Sequence, residues 1–442
     1  MNSESTIFAP ASASGKAGVA VFRISGKDAT SAITKLCRPN VLPAPRLASL
    51  RDILDPKTKE TIDRALVLYF PAPHSFTGED VVELHTHGGR AVTNAVIENL
   101  SKLPGFRLAE AGEFTRRAFE NGKMDLTEAE AIADLVHAET DAQRKQALRQ
   151  LDGALGRLYE QWRHSLARAL AYMEAAIDFS DEELPLDMIE KQSADLKRLR
   201  DEIALHLNDN HRGERLREGF SIAILGPPNA GKSSLLNRLA HRDVAIVSPT
   251  AGTTRDVIEV HLDIGGYPVM LADTAGLREG DNEIESEGIR RARARAAQAD
   301  FNLLIFDGAI WPQMDNATQS LIGDHTLAVV NKADLLPPQT RNDAFLFLSV
   351  KDDVGIDALL QRLTIEITQR LTDTGAPPLT RARHRTALEV CLEHLDRALL
   401  AKMADLRAED VRLAMRALGR ITGRVDVEDL LDIIFRDFCI GK

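Results

Sequence analysis

Hydrophobic residues along the first 120 positions follow the short runs that are typical of β-strands. β-branched and aromatic residues cluster at 18–25, 65–70 and 81–87, and segments rich in turn-forming residues separate these runs. A helix is expected after the glycine pair at 88–89, where apolar residues recur every four positions. The pattern predicts a small α+β domain at the start of the chain.

From Leu126 onward the apolar residues recur every three or four positions, which is the spacing of amphipathic helices. One continuous helix face is predicted from Leu148, Leu151, Leu155, Leu158, Trp162, Leu166 and Leu170. A further helix is expected over 196–207, and the polar stretch 208–219 is expected to be a connector.

Strand-like and helix-like segments alternate from Phe220 for about 150 residues, which is typical of a parallel sheet covered by helices on both faces. The alternation stops at 372–383, where a proline pair prevents a helix from continuing. Helical spacing then returns as far as Phe435. Because long amphipathic helices bury their apolar faces against each other, we expect one helical domain built from both flanks of the α/β domain.

With 442 residues the chain is too long for one hydrophobic core. The patterns predict a multidomain fold with an α+β N-terminal domain, a discontinuous all-α helical domain and an inserted α/β domain. The expected boundaries are 1–121 for the first, 122–217 and 373–442 for the second, and 218–372 for the third.

Composition restricts the partners and the compartment. The chain has 66 acidic and 55 basic residues, a formal charge of -11, so any contact with a polynucleotide must be local. Its three cysteines, Cys37, Cys391 and Cys439, are too few and too scattered for a disulfide framework or a zinc cluster. No secretory signal and no apolar run of roughly 18–20 residues is found. We therefore expect a cytoplasmic protein in a reducing compartment, without a membrane segment.

A phosphate-binding loop is predicted at 226–233, where GPPNAGKS satisfies the pattern G-x-x-x-x-G-K-S/T. The apolar run SIAIL precedes it and SLLNRLA follows it, so strand, loop and helix come in the required order. Backbone N–H groups of the loop and the helix N-terminus can surround phosphate oxygens. Lys232 would neutralise the β and γ phosphates, and Ser233 would bind Mg²⁺.

Three further motifs at strand ends predict that the nucleotide is GTP. Asp273 opens the motif 273–276 as a metal-side carboxylate, and its last residue can offer an N–H to the γ phosphate. Asp334 can accept both the ring N–H and the amine of guanine, whereas adenine would leave the carboxylate unpaired. The segment 349–351 fits the last base-contacting loop. The inserted domain is therefore expected to be a Ras-like P-loop G domain.

The predicted GTP-binding residues are Gly226, Asn229, Ala230, Gly231, Lys232, Ser233, Ser234, Asp273, Thr274, Ala275, Gly276, Asn331, Lys332, Asp334, Ser349 and Lys351. Leu277 stands where Ras-like proteins have a glutamine that positions water, so another residue must do this. Glu285 is the nearest candidate carboxylate, although by residue type alone a solvated loop acid is the favoured explanation. A hydroxyl-rich switch loop at 248–256 is expected to add a threonine to the Mg²⁺ shell.

With these motifs in place, the whole chain resembles the bacterial MnmE (TrmE) family of tRNA modification GTPases. The segments that carry the resemblance are GVAVFRISG at 18–26, FTGEDVVELHTHGG at 76–89, the long block 111–140, GTTRD at 252–256 and FCIGK at 438–442. The C-terminal pentapeptide and the long block are specific, and generic translational GTPases have neither.

The resemblance implies that the N-terminal domain dimerises and binds a tetrahydrofolate one-carbon donor, as the 5,10-methylene or 5-formyl derivative. In the family the folate contacts map onto Arg23, Glu83, Lys123 and Lys442. A carboxylate can receive the amide and amine of a pterin ring, and basic groups suit the glutamate tail. By residue type alone, each is equally a surface charge.

The resemblance also implies that K⁺ replaces an arginine finger in hydrolysis. The K⁺ ligands map onto Asn229, Ser248, Thr250 and Thr253, the second Mg²⁺ ligand onto Thr254, and the catalytic residues onto Glu285 and Lys232. The sequence departs from the family pattern at 248–250 and at 15–18, which bear on K⁺ binding and on the folate domain respectively.

The function implied by the resemblance is a homodimeric GTPase that acts with an FAD-dependent MnmG (GidA) partner. Together they would add an aminomethyl or carboxymethylaminomethyl group to C5 of the wobble uridine of certain tRNAs, with ammonia or glycine as nitrogen donor. The alternatives are a regulatory or ribosome-assembly GTPase switch without modification chemistry, and a membrane-remodelling GTPase. The C-terminal motif and the block 111–140 argue against the first, and the lack of an apolar tip argues against the second.

Two side-chain types with reactive potential have alternative explanations. Cys439 lies in the C-terminal motif and is either a nucleophile or a small packing residue beside the folate pocket. His85 and His87 alternate along a predicted strand with no third ligand nearby in sequence, which favours strand histidines over a metal site. Cys391 falls on the apolar face of a helix and is expected in the core.

Overall fold

The computed structural model describes residues 5–13, 15–178, 186–242, 244–246, 259–273, 294, 296–371, 377–425, 428–436 and 438–442. The chain divides into two compact units. The first contains Met1–Ala133, Gln150–Ala171 and Arg412–Lys442, and the second contains Asp134–Arg149 and Tyr172–Val411.

The N-terminal part of the first unit is a seven-stranded sheet with helices, in the order β3-β4-β5-β6-β2-β1-β7. Its elements are β1 (Thr6–Pro10), β2 (Ala17–Ser25), α1 (Ser31–Leu36), β3 (Cys37–Arg38), β4 (Ser49–Leu54), β5 (Thr61–Phe70), β6 (Val81–Gly88), α2 (Arg90–Ser101), β7 (Phe106–Leu108) and α3 (Glu113–Glu120). The predicted strands at 18–25, 65–70 and 81–87 and the helix after 88–89 are confirmed.

Alternation along the two central strands decides which side chains face the core. Phe22 and Leu84 are fully buried and are register partners, while their neighbours Arg23 and Glu83 form the next pair on the other face. This register brings a cation and a carboxylate together near the middle of the sheet.

Helices make up the segments on both sides of the α/β region. They are α4 (Leu126–His137), α5 (Asp141–Leu151), α6 (Ala154–Asp178), α7 (Leu186–Leu207), α8 (Arg212–Glu218), α12 (Ala382–Leu400), α13 (Ala404–Thr422) and α14 (Glu428–Arg436). Helix α7 confirms the helix expected over 196–207, and Cys391 is buried on α12 as predicted.

Two local predictions in this region are wrong. The continuous helix face is broken between α5 and α6 because Gly153 adopts a φ of +77°, which no helix interior contains. The polar connector 208–219 contains the helix α8. Within this stretch Arg212 and Gly213 are buried, whereas Asn210, His211 and Glu218 are exposed.

Helix α8 and the segment before α12 carry the chain into and out of the α/β region, and they lie side by side in the second unit. A Cβ added at Gly213 would fall 2.1 Å from the carbonyl oxygen of Leu379. Arg385 donates to the Leu207 carbonyl oxygen at 2.7 Å and to the Asp209 carboxylate at 2.7 Å, and it also contacts Glu214. The segments that lead into and out of the α/β region are therefore held together at the N-terminal end of α12, which carries Arg385.

The α/β region is a six-stranded sheet in the order β13-β12-β11-β8-β10-β9, in which only the β9–β10 pair is antiparallel among the strands described. Its elements are β8 (Phe220–Leu225), α9 (Lys232–Ala240), β9 (Glu259–Ile264), β10 (Tyr267–Asp273), β11 (Phe301–Asp307), α10 (Asn316–Gln319), β12 (Thr326–Asn331), β13 (Leu346–Phe347) and α11 (Ile356–Leu371). Strand β8 is apolar almost throughout because both of its faces are covered.

The predicted fold class is confirmed: an α+β N-terminal part, helices from both flanks and an inserted α/β P-loop domain. The boundaries at 121/122, 217/218 and 372/373 stay a prediction. No helix within the described residues is both long enough and apolar enough to cross a membrane.

Candidate functional site

The phosphate-binding loop lies between β8 and α9, as the sequence predicts. Gly226 has φ +154°, and a Cβ there would meet the Ile305 carbonyl oxygen at 2.3 Å. Gly231 has φ +95°, and a Cβ there would meet Asn331 Nδ2 at 2.1 Å. Both glycines are therefore required by backbone conformation and by space.

Lys232 begins α9 and folds back over the loop. Its Nζ donates to the carbonyl oxygens of Gly226 at 2.8 Å and Pro227 at 2.9 Å, and the residue is buried. The ammonium is thus held at the loop where phosphates would bind, close to the N-terminal end of α9. Ser233 and Ser234 follow it on the first turn and are exposed. A hydroxyl at this place fits a Mg²⁺ ligand.

Asn331 connects three loops of the site. Its Nδ2 donates to the Ala230 carbonyl oxygen at 2.8 Å, and its Oδ1 accepts from the Val350 backbone N–H at 3.2 Å. The phosphate loop, the loop after β12 and the loop at 349–351 are therefore joined through one buried amide. The structure brings these three sequence-predicted segments together.

Asp334, the residue predicted to bind the base, is exposed. A hydrogen bond from Ser349, followed by the charges of Lys351 and Lys332, lowers the pKa of Asp334 below its usual value. The group is therefore an ionised acceptor at neutral pH, as guanine recognition requires. Ser349 itself is buried.

Sequence reasoning missed Asp307 at the end of β11. Its carboxylate accepts from Lys332 Nζ at 2.6 Å and from the Ala309 N–H at 2.9 Å. Its position at the carboxyl end of a buried strand, beside the strands that end in the other motifs, was the available signal.

Several predicted residues lie outside the described part of the chain. Asp273 ends β10, and only its backbone is described. The remaining residues outside the description are Ser248, Thr250, Thr253, Thr254, Thr274, Ala275, Gly276 and Glu285. Asn229 is described: it is exposed and has φ +64°. Its roles in GTP and K⁺ binding stay predictions.

A second candidate site lies on the N-terminal sheet. Arg23 Nη2 donates to Glu83 Oε1 at 3.1 Å, and His85 Nε2 lies 3.2 Å from Glu83 Oε2. The Arg23 guanidinium lies 5.1 Å from the ring centre of Phe76 and 5.9 Å from that of Phe114. An ionic pair between aromatic rings can receive a flat, polar ring system. Sequence reasoning missed both phenylalanines.

The C-terminal segment reaches the same sheet. Ile440 forms a bridge with Ala111, and a Cβ at Gly441 would meet the Pro10 carbonyl oxygen at 2.2 Å. Pro10 is next to Ala9, the register partner of Arg23. The backbone of the motif that ends in Lys442 therefore lies close to the Arg23–Glu83 pair.

Lys123 contacts the loop that carries Phe76, since its Nζ donates to the Pro73 carbonyl oxygen at 2.9 Å.

Cys439 is exposed, whereas burial raises the pKa of Cys37 to about 11 and that of Cys391 to about 12. His87 pairs with Asp63 at 2.7 Å. Among the described residues no cluster of three or more His, Cys, Asp or Glu side chains could hold a metal ion.

The α/β fold, the loop between β8 and α9 and the carboxylate after β12 define a P-loop GTPase. Two family models match the chain: the MnmE helical domain over residues 126–439 and the GTP-binding protein TrmE N-terminus over residues 6–123. The chain belongs to the MnmE family of tRNA modification GTPases.

Relatives match along the full length. The protein named tRNA modification GTPase MnmE from Paramagnetospirillum magneticum is 56% identical over 442 residues, which cover 99% of both chains. The protein of the same name from Parvibaculum lavamentivorans is 56% identical, over 99% of this chain and 100% of the relative. A human protein named as a mitochondrial 5-taurinomethyluridine-tRNA synthase subunit is 48% identical over 100% of this chain and 94% of its own.

Proposed function

We propose that this GTPase acts on tRNA, with an FAD-dependent MnmG (GidA) partner, to add an aminomethyl or carboxymethylaminomethyl group to C5 of the wobble uridine. The observation that carries the proposal is identity along nearly the whole chain with tRNA modification GTPases, among them a human protein named for a modified uridine. The nucleotide domain alone would not favour this function over any other GTPase. The N-terminal sheet and the C-terminal segment do.

A tetrahydrofolate derivative fits the N-terminal site by its chemistry. Glu83 can accept the ring N–H and amine of a pterin, the partly exposed Phe76 can contact the ring face, and Lys123 and Lys442 can pair with a glutamate tail. When bound, the folate would supply the one-carbon unit. The residues of this chain would orient it, with the Glu83 carboxylate placed between Arg23 and His85.

Homodimer formation is supported by apolar residues exposed on the N-terminal part. Leu50 and Leu66 are register partners on neighbouring strands, with side chains 63% and 43% exposed. Val41, Leu42 and Leu47 are also exposed. Adjacent exposed leucines, with further exposed apolar residues in the preceding segment, are typical of a subunit interface that a second copy would bury.

Modification of tRNA should be seen directly when the chain, the flavoprotein, GTP, methylenetetrahydrofolate, unmodified tRNA and either ammonium or glycine as nitrogen donor are combined. We expect mass spectrometry of the digested tRNA to show a heavier wobble uridine. Glu83→Gln is expected to abolish this product while GTP turnover continues, because the folate site loses its charged acceptor. Glu60→Gln, an exposed glutamate of the same domain, serves as the matched control. Normal GTP turnover without a modified uridine would instead favour a regulatory switch.

Hydrolysis is expected to depend on K⁺, which supplies positive charge at the phosphates. We expect GTP turnover to be about tenfold faster or more in KCl than in NaCl at equal ionic strength. A tenfold difference corresponds to an activation free energy that is lower by about 1.4 kcal/mol. Asn229→Ala and Glu285→Ala should each abolish the gain, whereas Asn237→Ala, an exposed asparagine on α9, should keep it. Equal rates in both salts would contradict the K⁺ assignment of Asn229, Ser248, Thr250 and Thr253.

A further inference from the structure

Helix α13 and the residue that follows its turn present a row of four exposed arginines. Arg412, Arg416, Arg420 and Arg424 are four positions apart, and each α-helical step of four residues advances about 6 Å along the axis. Within residues 411–424, all of which the structure describes, the exposed residues are these four arginines.

Packing of the opposite helix face holds the row outward. The buried apolar residues of the same stretch are Val411, Ala414, Ala417, Leu418 and Ile421. Gly423 then turns the chain with φ +87°, and a Cβ there would meet Phe119 at 2.6 Å and Leu126 at 2.7 Å. Three of the four arginines are thus fixed on the helix, and Arg424 directly follows its terminal turn.

The helix itself does not account for the row. Residues 411–424 contain no aspartate or glutamate, and like charges four positions apart on a helix repel by a few tenths of a kcal/mol. Arg424 Nε donates to Glu160 at 2.8 Å, and the same carboxylate accepts from Arg163, so one acid lies between two cations there. The other three arginines also have contacts within the protein. A guanidinium has five N–H donors, which makes a protein contact compatible with a phosphate contact.

We propose that this arginine row is a docking surface for the phosphate backbone of tRNA. The inference rests on the proposed function, which supplies tRNA as the substrate. A chain with a formal charge of -11 can bind a polyanion only through a local basic surface, and α13 provides one. Arginine is suited to phosphate because its planar fork of donors matches two phosphate oxygens.

An anionic bilayer fits the same surface less well. Helices that lie on membranes insert apolar side chains between their basic residues. Between Arg412 and Arg424 no large apolar side chain is exposed, and every residue of that stretch is described. The row therefore offers charge without an apolar anchor.

The test is a salt series with the full-length chain and fluorescently labelled, unmodified tRNA, measured by anisotropy between about 50 and 200 mM KCl. We expect the variant Arg412→Gln/Arg416→Gln/Arg420→Gln to bind about tenfold more weakly or worse. The slope of log affinity against log salt should fall in magnitude by about 2, since each lost phosphate contact removes roughly 0.7–0.9. The corresponding triple lysine variant should keep most of the slope, because it keeps the charge.

A matched control removes three exposed arginines elsewhere: Arg144→Gln/Arg198→Gln/Arg362→Gln. Their side chains are 51%, 71% and 56% exposed, and each pairs with an acid three or four residues away. We expect wild-type affinity and slope from it, and thermal melting should show all variants folded.

If the α13 variant binds tRNA with the same affinity and salt slope as the wild type, the inference is overturned. The proposed function stays intact in that case, because the wild type still binds tRNA. Failure of the wild type itself to bind tRNA would count against both. Capture by vesicles of phosphatidylcholine and phosphatidylglycerol that requires the same arginines, without their effect on tRNA, would assign the surface to a membrane and overturn the RNA assignment.

Discussion

Replacing Asp334 by asparagine is expected to change the nucleotide preference of the protein from GTP to xanthosine triphosphate. Guanine offers a ring N–H and an amine to the carboxylate, and an asparagine amide would meet that amine with its own donors. Xanthine has a carbonyl in place of the amine, so the amide can donate to it. We expect GTP affinity to fall by about 10³-fold or more, because the asparagine cannot accept both the ring N–H and the amine of guanine.

The measurement is equilibrium binding and turnover with GTP and xanthosine triphosphate. Asp334 suits this test because the hydrogen bond from Ser349 lowers its pKa, which keeps it an acceptor at working pH. Asp352→Asn is the matched control, since Asp352 lies in the adjacent loop and also contacts Ser349, at 3.4 Å. Unchanged GTP affinity in Asp334→Asn would show that another residue recognises the guanine base.

Replacing Glu113 by glutamine is expected to lower the free energy of unfolding of the first unit by about 3 kcal/mol. Glu113 is 5% exposed and accepts from Arg107 at 2.5 and 2.8 Å, from Arg117 at 3.1 Å and from the Glu110 N–H at 2.9 Å. The variant would keep the shape but leave Arg107 and the buried Arg117 without this negative charge. Denaturant unfolding at pH 7 measures the loss.

The loss is expected to shrink in acid. Burial alone would raise the pKa of Glu113, but the hydrogen bond from Arg107, together with the Glu110 N–H and the charge of Arg117, holds it below 4.5. A carboxylate with a lowered pKa stabilises the fold above its unfolded value of 4.5, and this contribution disappears as the pH falls through the folded value. Wild type and variant should therefore converge below pH 4.5.

Glu98→Gln is the control for this prediction, because its ion pair with Lys102 is on the surface and should contribute less than about 1 kcal/mol. An unfolding free energy of Glu113→Gln equal to that of the wild type at pH 7 would mean that the two arginines are stabilised by other acceptors, such as Glu79.

The nucleotide loop could be predicted because its chemistry depends on contiguous residues. Gly226, Gly231 and Lys232 belong to one short motif, and the structure places them where the motif requires. Asp307 could not be assigned in this way, since its partner Lys332 is reached through the pairing of β11 with β12. Long-range pairing is a property of the fold and not of any local spacing.

The same limit explains the errors among the helices. The three- and four-residue spacing of apolar residues continues across Gly153, because this spacing carries no information about the φ of +77° at that residue. The stretch 208–219 was predicted to be a polar connector because it is rich in arginines and acids. In the structure Arg385 forms ion pairs with Glu214 and Asp209, so these two carboxylates can lie largely buried. Burial of charge in that segment depends on a residue about 170 positions away.

The close approach of Gly213 and Leu379 has a consequence for the architecture of the gene product. A segment whose two ends touch can be inserted into a chain, or excised from it, without moving either flank. Replacing 219–376 by a glycine-serine bridge would then join α8 to the segment that leads into α12. The nucleotide domain is in this sense a cassette whose entry and exit segments lie side by side, with a further contact where the Ala142 N–H donates to the Gly266 carbonyl oxygen at 3.0 Å.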